Sequence, residues 1–425
     1  DMQTNPLQTF FASFEPLRVR NFAIYLSGQA VSLVGTWLQI TAQGWVVWEL
    51  SKSEAELGIV ASLSTLPLLF FGPFAGTIAD RVDRRKLLIA TQVGAMLLAF
   101  ILALLVQTKL VQLWHVYILA FALGVVSALD FPAQQAFLGD LSGMPLVRKA
   151  VNLNAMFFQV SRILGPMFAG FIIATFGTAT TFWFNGLSFI PVIASLLIVR
   201  AHQVRNEAHG HPLSDFASAL RFVRSRPRLQ DLLMLVILIT FFGLSILNIM
   251  PAFAGEVLGG NAQTLGFLLA SSGTGALISV VFVIPFVQAA KRTGLAMTSA
   301  AMWMGFWIFA AANAPNLPLA MLGIGLASIG APAVIATSFG LTQLMAPTDM
   351  RARLVSLMVM VSFGLQPLAS LYVGFTAQYL GVAMAVMLNG IFLFSGALLL
   401  LALRSSFRTW NAGEAQHAAQ PVAGD

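Results

Sequence analysis

A single aspartate stands inside a long apolar run of the sequence. The stretch SALDFPAQQAF, residues 127–137, places Asp130 and Gln134 one helical turn apart in an apolar segment that extends from about residue 113 to 138. A carboxylate at the centre of such a segment costs about 2.5 to 3.5 kcal/mol on membrane-insertion scales unless it is paired or faces a water-filled cavity. Asp130 is therefore a functional candidate.

Arg162 is the candidate partner of this aspartate. At about 1.5 Å per helical residue, Asp130 lies about 15 Å along its segment from Asp140. Arg162 lies about 20 Å along the next segment from Lys149, which is a similar depth. Because helical side chains lean toward the N-terminus of their helix, the two charges lean toward each other in antiparallel neighbours. We expect an ion pair here, which is either static and structural or responsive to protons or substrate.

Amide and hydroxyl side chains form a stripe on the first apolar segment. Their spacings of 3, 4, 3 and 4 residues put them on one helical face: Gln29, Ser32, Thr36, Gln39 and Gln43. One interpretation is hydrogen bonding between helices. The interpretation we favour is the wall of a substrate cavity, because five polar groups exceed what packing usually requires. The other residues predicted to line this cavity are Gln134, Gln159, Asn248 and Gln366.

The composition requires that membrane-spanning helices position these residues. Hydrophobic residues make up 58% of the 425 residues and charged residues 9%, with a mean hydropathy of +0.84. These values exclude an ordinary soluble protein. Apolar stretches long enough to cross a bilayer, about 20 residues each, occur twelve times. The sequence therefore predicts an all-α integral membrane protein, and the absence of cysteine excludes disulfides and thiolate metal sites.

Basic residues collect on one side of the predicted spans. Lys52 and Lys109 fall on the other side and Arg162 lies within a span, which leaves 20 of the 23 Lys and Arg residues on the side of the N-terminus. Since translocation of basic residues is disfavoured, we predict that both termini are cytoplasmic. This topology accounts for the net charge of +7 without a nucleic-acid partner. The predicted location is the cytoplasmic (inner) membrane of a bacterium.

The longest polar interruption divides the spans into two sets of six. The predicted organisation is a cytoplasmic segment 1–20, a six-helix bundle 21–200, a linker 201–228, a second six-helix bundle 229–404 and a disordered tail 405–425. Within the linker, PLSDFASALRFV places its apolar residues on one face, which predicts an interfacial helix. The halves also resemble each other in paired glycines, and two similar bundles are typical of secondary transporters.

Three stretches carry a resemblance to a known family. GTIADRVDRRKLL, residues 76–88, resembles motif A of the major facilitator superfamily, although Asp83 replaces the usual second glycine. Residues 20–53, and ALDFPAQQAFLGDL together with KAVNLNAMFFQVSRILGPMFAG, resemble the enterobactin-exporter-like and drug-exporter-like branch. The resemblance extends from about residue 18 to 404 and implies the major facilitator fold, in which twelve transmembrane helices form two six-helix bundles.

The resemblance also implies a gate on the cytoplasmic side. Asp80 would face the N-terminal end of the eleventh span, where the helix dipole stabilises a carboxylate by about 0.3 to 1 kcal/mol. An arginine of the motif would pair with Asp140 at the end of the fourth span. The residues assigned to this gate are Gly76, Asp80, Arg81, Arg84, Arg85 and Asp140.

The absence of a nucleotide-binding motif limits the energy sources that could drive transport. No ATP-binding G-x-x-x-x-G-K-[ST] motif is present, so transport would depend on an ion or substrate gradient. We therefore expect a secondary transporter, not an enzyme, that exports an amphipathic drug-like or siderophore-like molecule by alternating access, coupled to protons as an antiporter. A lysophospholipid or lipid flippase is the alternative, and a non-transporting receptor or scaffold is disfavoured. The expected partners are substrate, protons and bilayer; we expect a functional monomer without cofactor or metal.

Overall fold

The computed structural model describes residues 14–143, 145–199, 212–347, 350–408 and 410, and for 72–81, 212–215, 352, 405 and 406 it describes the backbone alone. Within these ranges every regular element is helical. A short 3-10 helix, Glu15–Arg18, precedes the first long helix. The helices of the first half are α1 Arg20–Ser51, α2 Glu54–Arg81, α3 Arg84–Gln107, α4 Leu113–Ser142, α5 Val147–Phe176 and α6 Thr178–Ile198.

The second half begins with the linker helix α7, Pro212–Arg224. Six long segments follow: α8 Pro227–Val257, α9 Ala262–Ala289, α10 Thr293–Ala312, α11 Leu317–Met345, α12 (the pieces Arg351–Gly364 and Gln366–Leu380) and α13 Val382–Leu403. The short helix α14, Ser405–Arg408, comes last among the described residues. The linker helix α7 lies where the amphipathic pattern predicts a helix, and its Ala219 and Val223 are buried.

Eleven helical segments in the described part of the chain are long and apolar enough to cross a membrane. The helix α1, at 32 residues, is also long enough. Its polar stripe makes it less apolar than the other eleven. The prediction of an all-α integral membrane protein is thereby confirmed.

Glycine ends the fifth long helix of each half. Gly177 between α5 and α6 has φ of 83°, and Gly381 between α12 and α13 has φ of 85°. A side chain is disfavoured at such angles, whereas glycine adopts them freely. Each glycine also donates its N–H to the carbonyl four residues earlier and so closes the preceding helix. The paired glycines of the two halves therefore perform the same structural task.

The helix α8 departs from regular α-helical geometry in three places. It is π-helical over Ile239–Leu244 and Phe253–Val257, and it tightens to a 3-10 helix over Ser245–Ile249. Such interruptions change which side chains face a given neighbour and are frequent at functional sites. Asn248, one of the predicted cavity residues, lies in the 3-10 stretch.

Among the described residues the chain forms two compact units. The first falls within Asp1–Leu50 and Pro67–His209, and the second within Ser51–Leu66 and Gly210–Asp425. The first half of α2 thus packs with the second unit. A Cβ atom on Gly58 would lie 2.5 Å from the Ser370 carbonyl oxygen and 3.0 Å from the Gly374 Cα, so α2 and α12 touch backbone to backbone. Ser53 also donates a hydrogen bond of 2.8 Å to Gln378.

The core of the first unit lies between α1, α3, α4, α5 and α6. Aromatic and aliphatic side chains fill it, and Tyr25 packs edge-to-face on Phe137 with ring centroids 5.3 Å apart. Because lipid tails are as apolar as these side chains, close packing between the helices stabilises this core, and not the removal of apolar surface from water. The polar groups described below are embedded in this core and are therefore held in a largely apolar environment.

Candidate transport site

A buried ion pair joins α3 and α4 near their connections to α2 and α5. The Arg84 guanidinium reaches both carboxylate oxygens of Asp140, at 2.9 and 3.0 Å. The two side chains are only 7% and 6% exposed. The structure therefore contains an arginine of the expected gate motif paired with the acid at the end of the fourth span.

The other gate residues lie around this pair. Asp83 caps α3 by accepting a hydrogen bond of 3.2 Å from the Lys86 amide. Arg85 donates to the Leu196 and Leu197 carbonyl oxygens at the end of α6, so it satisfies carbonyl groups that the helix itself leaves unpaired. Gly76, Asp80 and Arg81 belong to α2, but their side chains lie outside the described residues.

The carboxylate of Asp130 is bound by α3. Its Oδ1 lies 2.5 Å from the Thr91 hydroxyl and accepts a hydrogen bond of 2.9 Å from the Gln92 amide. The register of the Arg84–Asp140 pair explains this contact, because α3 and α4 are antiparallel neighbours. Moving seven or eight residues forward from Arg84 and ten residues back from Asp140 brings Thr91 and Gln92 opposite Asp130.

The structure does not bring Asp130 and Arg162 together. The Arg162 guanidinium instead lies over the Trp37 ring, 5.8 Å from its centroid. Trp37 in turn packs edge-to-face on Phe158, at 5.6 Å. The depth argument placed both charges at the same level of the membrane but did not specify which neighbouring helix each would face. The α3 helix faces Asp130, and α1 faces Arg162.

Tyr25 and Gln134 extend the polar cluster around Asp130. Tyr25 of α1 is hydrogen-bonded to Gln134 and is 1% exposed. Gln134 is 8% exposed. Gln134 lies one helical turn from Asp130, as expected, and both residues are therefore on the side of α4 that contacts α1 and α3.

The polar stripe of α1 is largely buried in this conformation. Gln29, Ser32, Gln39 and Gln43 are buried and Thr36 is half-buried. Gln39 accepts a hydrogen bond of 2.5 Å from the Asn185 amide on α6, so this residue makes the interhelical bond that was the less favoured interpretation. Thr36 donates to the Ser32 carbonyl oxygen at 3.0 Å.

Gln29 of the stripe and Gln159 of α5 each have a buried side-chain oxygen that accepts no hydrogen bond from the described residues. Buried amide oxygens are usually satisfied by protein or by ordered water. These two residues therefore remain candidates for contact with water or substrate.

The second unit contains its own polar chain. The Asn248 amide of α8 donates to the Ser370 hydroxyl of α12 at 2.8 Å, and Ser370 donates to the Gln366 carbonyl oxygen at 2.7 Å. Asn248 is thus tied to α12 through Ser370, whereas Gln366 contributes only its backbone carbonyl to this chain. The break between the two pieces of α12 at Leu365 places Gln366 and Pro367 at the start of the second piece.

Several residues of the site were not anticipated from the sequence. They are Tyr25, Trp37, Thr91, Gln92, Asn185 and Ser370. The adjacent pair Thr91–Gln92 carried a usable signal, since it is the only polar pair inside the apolar stretch 87–106. The others are single polar or aromatic residues whose partners follow from helix packing alone.

The helices and the buried polar groups they carry define a multi-pass membrane protein. A family model described as "Transmembrane secretion effector" matches residues 11–423. The chain belongs to this family of the major facilitator superfamily, whose members are transporters and not enzymes. The resemblance on which the sequence interpretation relied is confirmed.

Relatives and solved structures agree with this assignment. The chain is 24% identical to the Staphyloferrin A transporter of Staphylococcus aureus over 86% of this chain and 92% of that protein. It is 24% identical to the multidrug efflux pump Tap of Mycolicibacterium fortuitum over 86% and 90%. The fold is similar to the nucleoside transporter NupG, with a TM-score of 0.73 at 11% identity over 91% and 99% of the two chains. It is also similar to a D-xylose-proton symporter, with a TM-score of 0.67 at 15% identity over 93% and 99%.

Proposed function

We propose that this transporter exports an amphipathic small molecule from the cytoplasm by alternating access, in exchange for protons. The observation that carries the proposal is the environment of Asp130 in α4. Its carboxylate is held by the uncharged donors Thr91 and Gln92. An acid held in this way can gain or lose a proton without breaking an ion pair, and intramembrane acids are frequent members of proton relays.

The proposed cargo is drug-like or siderophore-like. Support comes from two relatives of this chain, a staphyloferrin A transporter and a multidrug efflux pump. The first unit also carries the aromatic pair Trp37 and Phe158 beside the Arg162 guanidinium. Such a combination suits a molecule with both an apolar body and a polar or anionic group.

The gate motif supplies the proposed conformational control. The Arg84–Asp140 pair fixes α3 against α4 at the end of the helices where motif A lies. We place this end, and both termini, in the cytoplasm because of the distribution of Lys and Arg. The protein would work as a monomer in the inner membrane of a bacterium.

Proton flux in proteoliposomes tests the function directly. Purified protein is reconstituted with a pH-sensitive dye inside the vesicles, and staphyloferrin A, ethidium or a lysophospholipid is added outside. Substrate-induced proton movement with the siderophore or with ethidium supports export by proton exchange. Movement with the lysophospholipid alone would favour the flippase alternative, and binding without proton movement would contradict proton coupling.

Glu15 provides a matched control for acid replacements. It lies outside the membrane-spanning helices, where its hydrogen bond to Lys149 and the charge of that ammonium hold the pKa of the carboxyl below its usual range. Glu15→Gln should leave substrate-induced proton flux unchanged. Asp130→Asn should abolish it.

A further inference from the structure

The Thr91 hydroxyl has two acceptors and one hydrogen. Its Oγ1 lies 2.9 Å from the Leu88 carbonyl oxygen and 2.5 Å from Oδ1 of Asp130. A threonine hydroxyl donates once and accepts at its lone pairs. Thr91 therefore cannot donate to both oxygens at once, and the direction of the contact with Asp130 depends on whether the carboxyl carries a proton.

Both protonation states of Asp130 find a satisfied arrangement around this hydroxyl. When the carboxylate is ionised, Thr91 turns its hydrogen to Oδ1, and the Gln92 amide donates to the same oxygen. When the carboxyl is neutral, it donates its own hydrogen to Thr91, and Thr91 donates to the Leu88 carbonyl oxygen. Only the rotation of one hydroxyl separates the two arrangements.

We propose that Thr91 is a positioning residue. It allows Asp130 to gain and release a proton while each hydroxyl hydrogen at their contact remains hydrogen-bonded. The inference rests on the proposed function for its consequence in transport, but it concerns proton binding alone. Thr91 is 5% exposed, so its hydroxyl has little access to bulk water and depends on its two protein partners, Asp130 and the Leu88 carbonyl oxygen. A buried hydroxyl without such an alternative acceptor would favour one charge state and hold the acid in it.

The surroundings of Asp130 contain few other charges. Tyr25 on α1 is the titratable group beside it. On α3 and α4, Arg84 and Asp140 are paired with each other, and on α5 Arg162 lies over Trp37. The helix α6 has no charged residue in Thr178–Ile198. The hydrogen bonds from Thr91 and Gln92 therefore dominate the immediate environment of the carboxyl among the described residues.

Removal of the hydroxyl should move the titration of Asp130 in a defined direction. In Thr91→Val the ionised carboxylate loses a charge-assisted hydrogen bond, whereas the neutral carboxyl loses a weaker one. The neutral form is therefore favoured, and the midpoint of the titration should move to higher pH by about one unit. Thr91→Ser keeps the hydroxyl and should keep the midpoint.

Infrared difference titration of the full chain in lipid nanodiscs tests this inference. The C=O band of the protonated carboxyl is assigned to Asp130 by its loss in Asp130→Asn, and its amplitude is followed with pH. Thr274→Val is the control, because the exposed Thr274 likewise donates a hydrogen bond, of 2.9 Å, to a carbonyl oxygen of its own helix, that of Ala270 in the other unit. It should leave the midpoint unchanged.

The titration uses no substrate, so it can fail or succeed independently of the transport assay that tests the proposed function. A higher midpoint in Thr91→Val, with Thr91→Ser and Thr274→Val at the parental value, supports the inference. Thr91→Ala gives the same test if Thr91→Val does not fold. An unchanged midpoint in the variants without the hydroxyl overturns the role of Thr91, as does a shift of the same size in Thr91→Ser. Absence of a titrating Asp130 band also overturns it, even if transport is found.

Discussion

Asp130 in α4 is hydrogen-bonded to Thr91 and Gln92 in α3. The Arg84–Asp140 ion pair joins the same two helices. The two contacts are successive points of one antiparallel register. The ion pair fixes the alignment of α3 and α4 at one end, and that alignment brings the neutral donors to the acid deeper in the membrane. The ion pair and the hydrogen bonds of Asp130 therefore require the same alignment of α3 against α4.

Loss of Arg84 should destabilise the first unit strongly. Arg84→Met leaves the Asp140 carboxylate buried without its counter-charge, which costs about 3 to 5 kcal/mol of unfolding free energy. The measurement is the midpoint of thermal unfolding in detergent. Adding Asp140→Leu should recover much of the loss, because an apolar pair of similar volume replaces buried charges at little cost. A double variant no more stable than Arg84→Met would contradict this account.

Asp130 and Arg162 should behave as independent residues. Since the structure gives them different partners, the effects of Asp130→Asn and Arg162→Gln on unfolding should add to within about 0.5 kcal/mol. A double-mutant cycle on thermal unfolding measures this coupling. A coupling energy well above that value, with mutual rescue in the double variant, would restore the ion pair predicted from the sequence.

The contact of α2 with α12 should not tolerate a side chain at Gly58. Gly58→Ala places a methyl group against the Ser370 carbonyl oxygen and the Gly374 Cα, and overpacking of this kind costs about 1 to 3 kcal/mol. Gly340→Ala is the control, because nothing lies within 4 Å of its Cβ position and alanine favours a helix. The first variant should unfold at a lower temperature and the second should not. Equal midpoints would argue against close packing at Gly58.

Gln39 should prove to be a packing residue. Asn185→Leu removes the donor to Gln39 and leaves a buried acceptor unsatisfied, at a cost of about 1 to 3 kcal/mol. If the bond serves packing, Asn185→Leu combined with Gln39→Leu should regain stability and keep substrate-induced proton flux. If the double variant recovers stability but loses flux, Gln39 would instead be a residue of the substrate cavity.

The sequence predicted the fold class and part of the site, and the physical reasons differ between the two. Span length and the absence of charge determine that helices cross the membrane, and both are local properties. The Arg84–Asp140 pair followed from a motif shared with a family. The partners of Asp130 did not follow, because depth along a helix does not indicate which of several neighbours a side chain faces. Thr91 and Gln92 required the register of α3 against α4, which is a property of packing.

The polar stripe of α1 also shows that residue spacing alone does not identify what a polar face contacts. Its spacing correctly places five polar side chains on one face, but spacing cannot distinguish a face that lines water from one that bonds to another helix. Gln39 meets Asn185, whereas the Gln29 oxygen is buried without a donor among the described residues. One stripe thus contains both a packing contact and a candidate binding group.

Substrate exchange and gradient-driven transport by Asp130→Asn, compared in the same proteoliposomes, test the central claim most directly. Exchange of labelled for unlabelled substrate needs no proton gradient, whereas accumulation against a substrate gradient does. The account predicts that Asp130→Asn retains exchange and loses accumulation driven by a pH gradient, while Glu15→Gln retains both. Accumulation by Asp130→Asn with an unchanged dependence on pH would contradict it.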